Sequence, residues 1–203
     1  FTKRITNTPQ REQFVTFSPD GNAIVYASER DGKWSIFKTE RVRASEEPFF
    51  FASTLLNETV LVTDSVDVYS PAFSPDGNYL AYTAGRRTLR VQNMETGATR
   101  DLLTPEDVFH MRDGDLSFSW SPDGKWIMVD WQKLLHNSEV LLLAADGSKR
   151  INLTQSGYND SSPKWIGDGD RILWFTNRDG LRSYATSGMS ERDVYMMFLT
   201  QEA

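Results

Sequence analysis

The chain is 203 residues long with 39% hydrophobic and 12% aromatic residues, enough to bury a core and too apolar for a disordered segment. Its net charge of −6, with no run of Lys or Arg, argues against a phosphate backbone as partner, so nucleic acid is not expected. The absence of cysteine excludes disulfides and thiolate metal sites, and no apolar stretch approaches the roughly 18 residues of a membrane-spanning helix.

Phe1 stands in place of an initiator Met and no signal peptide follows, so the expectation is a trimmed or mature segment of something longer. Residues 2–7 include "KRITN" (3–7), which resembles "RDLLT" (100–104) and "KRINL" (149–153) and is expected as a leading fourth strand. Next, "EQFVTF" (12–17) enters the turn "FSPDG" (17–21), "AIVYAS" (23–28) leaves it, "ERDG" (29–32) turns again, and "WSIFKT" (34–39) follows. An extra stretch, "RASEEPFFFAS" (43–53), lengthens this first copy. The second copy reads "YSPAF" (69–73), the turn "FSPDG" (73–77), "YLAYT" (79–83), "TLRVQN" (88–93) and "TRDLLT" (99–104). The third reads "LSFSW" (116–120), "WSPDG" (120–124), "WIMVDW" (126–131), "EVLLLAA" (139–145) and "KRINLT" (149–154). The fourth has "SSPKW" (161–165), a worn turn "WIGDG" (165–169), "RILWFT" (171–176) and "DVYMMFLT" (193–200).

A repeat of short β-type runs spaced 47 and 45 residues apart after the longer first interval points to propeller blades. In Ser-Pro-Asp-Gly, Pro presets φ for the first corner of the turn, Asp can bond nearby backbone N–H groups, and Gly takes the left-handed conformation that closes the hairpin. The second run of each copy is nearly all apolar, as expected of a strand packed on both faces. The expected fold is therefore all-β, a β-propeller of four blade-equivalents of four antiparallel strands. The blades are expected at approximately 8–64, 65–105, 106–155 and 156–203. Because four blades is the lower limit for closed rings, a segment of a larger propeller is favoured over a self-contained ring.

The apolar run, Ser-Pro-Asp-Gly, and "YAS" or "AYT" strand resemble the repeats of Tol-B-like propellers and of tricorn-type proteases. Two stretches, 36–64 and 162–203, are similar to an early blade and to the last part of the N-terminal propeller in bacterial tricorn-like serine peptidases. The resemblance implies a non-catalytic propeller that guides or filters peptides or contacts proteins, with a peptidase domain of the parent chain downstream of residue 203 carrying the nucleophile and base. It also implies a periplasmic or otherwise extracytoplasmic location, leaving a cytoplasmic one open, and leaves open a homo-oligomer. The worn fourth turn departs from the pattern and reads as a degenerate blade. Two other readings stand beside this one: a stand-alone Tol-B-like periplasmic protein-interaction propeller, and a propeller binding a small ligand or sugar.

Catalytic residues are not expected within these residues. The chain has two histidines, His110 and His136, and no Gly-x-Ser-x-Gly elbow marks a nucleophile. "RDGD" (112–115) and "GDGD" (167–170) place carboxylates two apart but lack the further oxygens of a calcium loop, so neither metal nor cofactor is expected. The loops "TPEDVFHMRDGD" (104–115) and "NRDGLRSYATSGMSERD" (177–193) exceed what hairpins need and would share one face of the propeller, opposite the Ser-Pro-Asp-Gly turns. Their His110, Arg112, Asp113, Asp115, Arg182, Ser183 and Tyr184 are the candidate contacts for a peptide or protein partner. Three consecutive phenylalanines, Phe49, Phe50 and Phe51, cannot all enter one sheet layer, so at least one is expected to face outward, as a docking patch or as part of a strap across its own blade.

Overall fold

The computed structural model describes residues 2–109, 116–134, 137–181 and 190–199. They contain fifteen strands in four antiparallel sheets, and within each sheet the strand order follows the sequence. The first sheet comprises β1 (Glu12–Phe17), β2 (Ala23–Arg30), β3 (Lys33–Arg41) and β4 (Leu56–Val62). The second comprises β5 (Val68–Phe73), β6 (Tyr79–Ala84), β7 (Thr88–Asn93) and β8 (Thr99–Leu103), and the third β9 (Ser117–Trp120), β10 (Trp126–Leu134), β11 (Asn137–Ala144) and β12 (Arg150–Asn152). The fourth comprises β13 (Ser161–Ile166), β14 (Arg171–Thr176) and β15 (Asp193–Phe198). No helix among the described residues is long and apolar enough to cross a membrane.

The chain divides into two compact units, residues 1–99 and 100–203. In the first, Val25, Ile36 and Val62 of the first sheet pack against Val68, Leu80, Tyr82 and Ala84 of the second. In the other, Met128, Val140 and Leu142 of the third sheet pack against Ile172 and Trp174 of the fourth. Sheet-on-sheet packing explains the apolar second strands: six consecutive residues of β2, Ala23–Ser28, are buried, and so are Leu80–Ala84 of β6. β14 departs from that expectation. It buries alternate residues, Ile172, Trp174 and Thr176, because one of its faces packs on the third sheet while Phe175 on the other is 44% exposed.

The three intact turns repeat one bonding scheme. Ser18, Ser74 and Ser121 donate their hydroxyls to Asp20, Asp76 and Asp123 at 2.5, 2.5 and 2.6 Å. The same hydroxyls accept the N–H groups of Ala23, Tyr79 and Trp126, each at 2.9 Å. Each turn also closes through its glycine N–H to the serine carbonyl, at 2.9 Å, with the glycine at positive φ. The first strands β1, β5 and β13 share a second device. Each shifts register at a bulge, around a residue at positive φ (Phe14, Ser70 and Ser162) placed four positions before the turn.

Residues 2–8 form no strand, unlike the expected leading strand 2–7. A strand exists through its ladder, and this segment is held by side chains instead. Lys3 donates to the Ser53 carbonyl, and Ile5 packs on the cluster of Ile24, Tyr26 and Phe37.

Candidate functional site

Antiparallel order puts the β10–β11 and β14–β15 connections at the same sheet ends as the segments entering β9 and β13, opposite the turns at 121–124 and 166–169. The stem of the 104–115 loop is pinned there by Asp107. Its carboxylate accepts the Thr104 N–H at 2.9 Å and the Thr104 hydroxyl at 3.1 Å, and pairs with Arg150 at 2.6 Å. The bond from the Arg150 guanidinium holds Asp107 down at a pKa of about 2. Arg150 also reaches the Leu102 carbonyl at 3.0 Å, Trp131 donates its indole N–H to the Asp107 carbonyl at 2.8 Å, and the Phe109 N–H bonds the Gln132 carbonyl at 2.8 Å. His110, Arg112, Asp113 and Asp115, and likewise His136, lie outside the described residues.

The 177–193 loop has its own stem. The Glu191 N–H donates to the Leu181 carbonyl at 3.0 Å, and the Leu181 N–H to the Glu191 carboxylate at 3.3 Å. Arg182, Ser183 and Tyr184 lie outside the described residues. The segment leading into β13 is fastened to both the third and the fourth sheet. The fully buried Asp160 accepts the Trp174 indole N–H at 3.0 Å and the Ser156 hydroxyl. Its N–H bonds the Ser138 carbonyl at 2.7 Å, and the Asn159 N–H bonds the Asn177 side chain at 2.9 Å. The Ser162 N–H at the bulge donates to Asp130 at 2.8 Å, and burial pushes the Asp130 carboxyl above its ordinary value against that bond.

At this end the Arg178 guanidinium lies 5.5 Å from the ring centre of Tyr158 and 5.5 Å from that of Tyr195. The Tyr195 phenol donates to Asp179, which raises its pKa. The Arg178 Nε is buried and has no hydrogen-bond partner. Sequence reasoning missed Arg178, Tyr158 and Tyr195, because residues 20 and 17 positions apart come together only through the fold. Asp107 left a readable signal: Thr104-x-x-Asp107 has the spacing at which a carboxylate reaches back to a backbone N–H. Among the described residues no three His, Asp or Glu side chains gather to hold a metal ion.

The three phenylalanines divide their roles. Phe50 packs against Ile24, Tyr26 and Phe37 of the first sheet, sits edge-on to Phe17 at 6.1 Å and lies under the Arg41 guanidinium at 5.2 Å. Phe49 and Phe51 are 58% and 57% exposed and stack on each other at 5.4 Å. The backbone here turns back on itself, with the Ala52 and Ser53 N–H groups both bonding the Phe49 carbonyl at 3.1 Å. The outward pair is therefore set by a tight turn and not by strand alternation.

The sequence model of the TolB beta propeller domain matches residues 55–197, well over half of the chain. The chain belongs to the TolB β-propeller domain family. This TolB-like propeller is 30% identical to dipeptidyl-peptidase 5 of Porphyromonas endodontalis over 150 residues, covering 70% of the chain and 19% of that protein. It is 32% identical to the TolB homologue of Chlorobium chlorochromatii over 189 residues, covering 88% of the chain and 40% of that protein. The chain thus spans less than half the length of these curated relatives. Among solved structures, the tricorn protease matches 97% of the chain with a TM-score of 0.65 at 10% identity, over 18% of its own length, a likeness of fold.

Proposed function

We propose that these residues are the non-catalytic propeller of a tricorn-like peptidase, and that the loop-bearing end of the third and fourth sheets guides or filters its peptides. The observation that carries this reading is the pair of pinned stems. Two connections longer than their strands require are each fixed at the base, one by the Asp107–Arg150 ion pair and the other by the hydrogen bonds between Leu181 and Glu191, at one end of a rigid scaffold. The relation to dipeptidyl-peptidase 5 supplies the peptidase context. Deleting residues 182–189 while keeping both sides of the stem tests it. Peptide affinity or processing falls while the melting temperature stays put; unaltered peptide handling rules the reading out.

A second reading, a stand-alone periplasmic protein-interaction propeller, is favoured by the TolB homologue's match over 88% of the chain. In that case Phe49 and Phe51 are the natural docking residues. The mass of the native protein in fractionated source cells separates the two. A species several times heavier than these 203 residues supports the peptidase propeller, and one of their own mass supports the stand-alone module.

A further inference from the structure

We infer that Arg178 is an anchor for a carboxylate of a bound peptide, an assignment that rests on the peptide-handling reading of this end of the molecule. Four observations converge on it. The guanidinium lies 5.5 Å from the centre of the Tyr158 ring and 5.5 Å from that of the Tyr195 ring, contacts that orient it without neutralising its charge. Asp179, the adjacent acid, is taken by the Tyr195 phenol and makes no ion pair with Arg178. Among the described residues no carboxylate pairs with this guanidinium, although Arg11, Arg30, Arg90, Arg150 and Arg171 each have one. Finally, its Nε is buried without an acceptor, as are Arg41 Nε and Ser161 Oγ, but Arg41 spends its terminal nitrogens on the Pro48 carbonyl and Asn22, whereas Arg178 has no such bond among the described residues.

The chemistry of the missing partner follows from the donor. A guanidinium offers parallel N–H groups that match the two oxygens of a carboxylate, and an Arg set against aromatic rings is not replaceable by Lys in that role. Leu181, three residues on in the neighbouring stem, exposes 76% of its surface and is available to an apolar part of a ligand. A peptide supplies a carboxylate from its C-terminus or from an Asp or Glu side chain, and both fit the same fork.

Binding of fluorescein-labelled decapeptides to the full-length protein, read as anisotropy extrapolated to zero time, tests the assignment. Each peptide is made with a free C-terminus and as its amide, and with internal Glu or Gln. The wild-type protein is expected to prefer one member of a pair by about tenfold or more. A C-terminal source shows as discrimination against the amide, and a side-chain source as discrimination against Gln. In Arg178→Gln, and nearly as fully in Arg178→Lys, that discrimination disappears while the melting temperature is retained. Peptides bound equally well in all forms by the wild-type protein overturn the assignment without any variant having to fold. Discrimination that survives in a folded Arg178→Gln protein overturns it as well. Binding of no peptide at all overturns the peptide-handling reading, and the anchor with it.

Discussion

Ser74 is 1% exposed and its hydroxyl serves two partners at once, donating to Asp76 and accepting the Tyr79 N–H. Ser74→Ala removes the acceptor but leaves the N–H in place, so urea unfolding should show a loss of about 1–3 kcal/mol. Aspartates set the response to acid. An unfolded Asp titrates at about 3.9, whereas Asp20, held by the Ser18 hydroxyl and the Asn22 N–H, and Asp107, held by Arg150, titrate at about 2 in the fold. The folded state therefore binds fewer protons, and the stability these groups contribute is complete above the unfolded value and lost as pH falls towards 2. Asp130 works the other way: its pKa is raised by burial, so its contribution is present in acid and lost as pH rises through the folded value. Melting curves across the acid range should fall steeply below about pH 4, and Asp107→Asn should flatten that slope. At this scale the sequence is legible wherever chemistry is local. The Ser-Pro-Asp-Gly turns declare their own bonds, whereas Arg178 with its two tyrosines is assembled from three distant positions and left no local mark.

Strands, turns and the 43–53 insertion show how much of each element is decided by its neighbour. Gly169, in the worn fourth turn, sits at φ +92°, and a Cβ there would stand 2.9 Å from Pro122 Cδ of the third turn. A looser version joins the first two turns, where Pro19 lies 3.8 Å from the position of a Cβ on Gly77. In these two pairs the proline of one turn shelters the glycine of the next, which gives the fourth turn a steric reason to keep its glycine after losing Ser and Pro. Gly169→Ala should destabilise by about 1–3 kcal/mol. Adding Pro122→Ala should recover the steric part of that loss and not the part due to φ, as thermal melts of the single and double variants would show. The insertion offers a second test. Phe50→Ser should cost about 2–3 kcal/mol, below the range for a fully buried phenylalanine, whereas Phe51→Ser should change stability by no more than about 0.5 kcal/mol. That some phenylalanine must face outward is legible in the triplet itself; that it is the outer two depends on a turn with no repeat to announce it.

For the molecule as a whole, the four-sheet architecture is readable because one hairpin recurs and its apolar runs carry the period of strands. Two features resist such reading. Residues 2–7 share the letters of a fourth strand yet are held through Lys3 and Ile5, since strand formation needs a partner edge that composition cannot specify. The alternating burial of β14 likewise depends on which faces are covered, a property of the assembly and not of the strand. The repeated turn also bears on how the protein ages. An Asp-Gly bond is a chemical weak point: the glycine nitrogen can attack the aspartate carboxyl, and the resulting succinimide reopens largely as isoaspartate. In the three intact turns that attack is obstructed, because serine holds the carboxyl and the glycine N–H is tied to the serine carbonyl at 2.9 Å. At 166–169 isoleucine replaces the serine and the glycine N–H bond lengthens to 3.2 Å. Of the four turns, Asp168 should therefore isomerise first on prolonged storage near neutral pH, and peptide mapping would find isoaspartate there while Asp20, Asp76 and Asp123 remain intact.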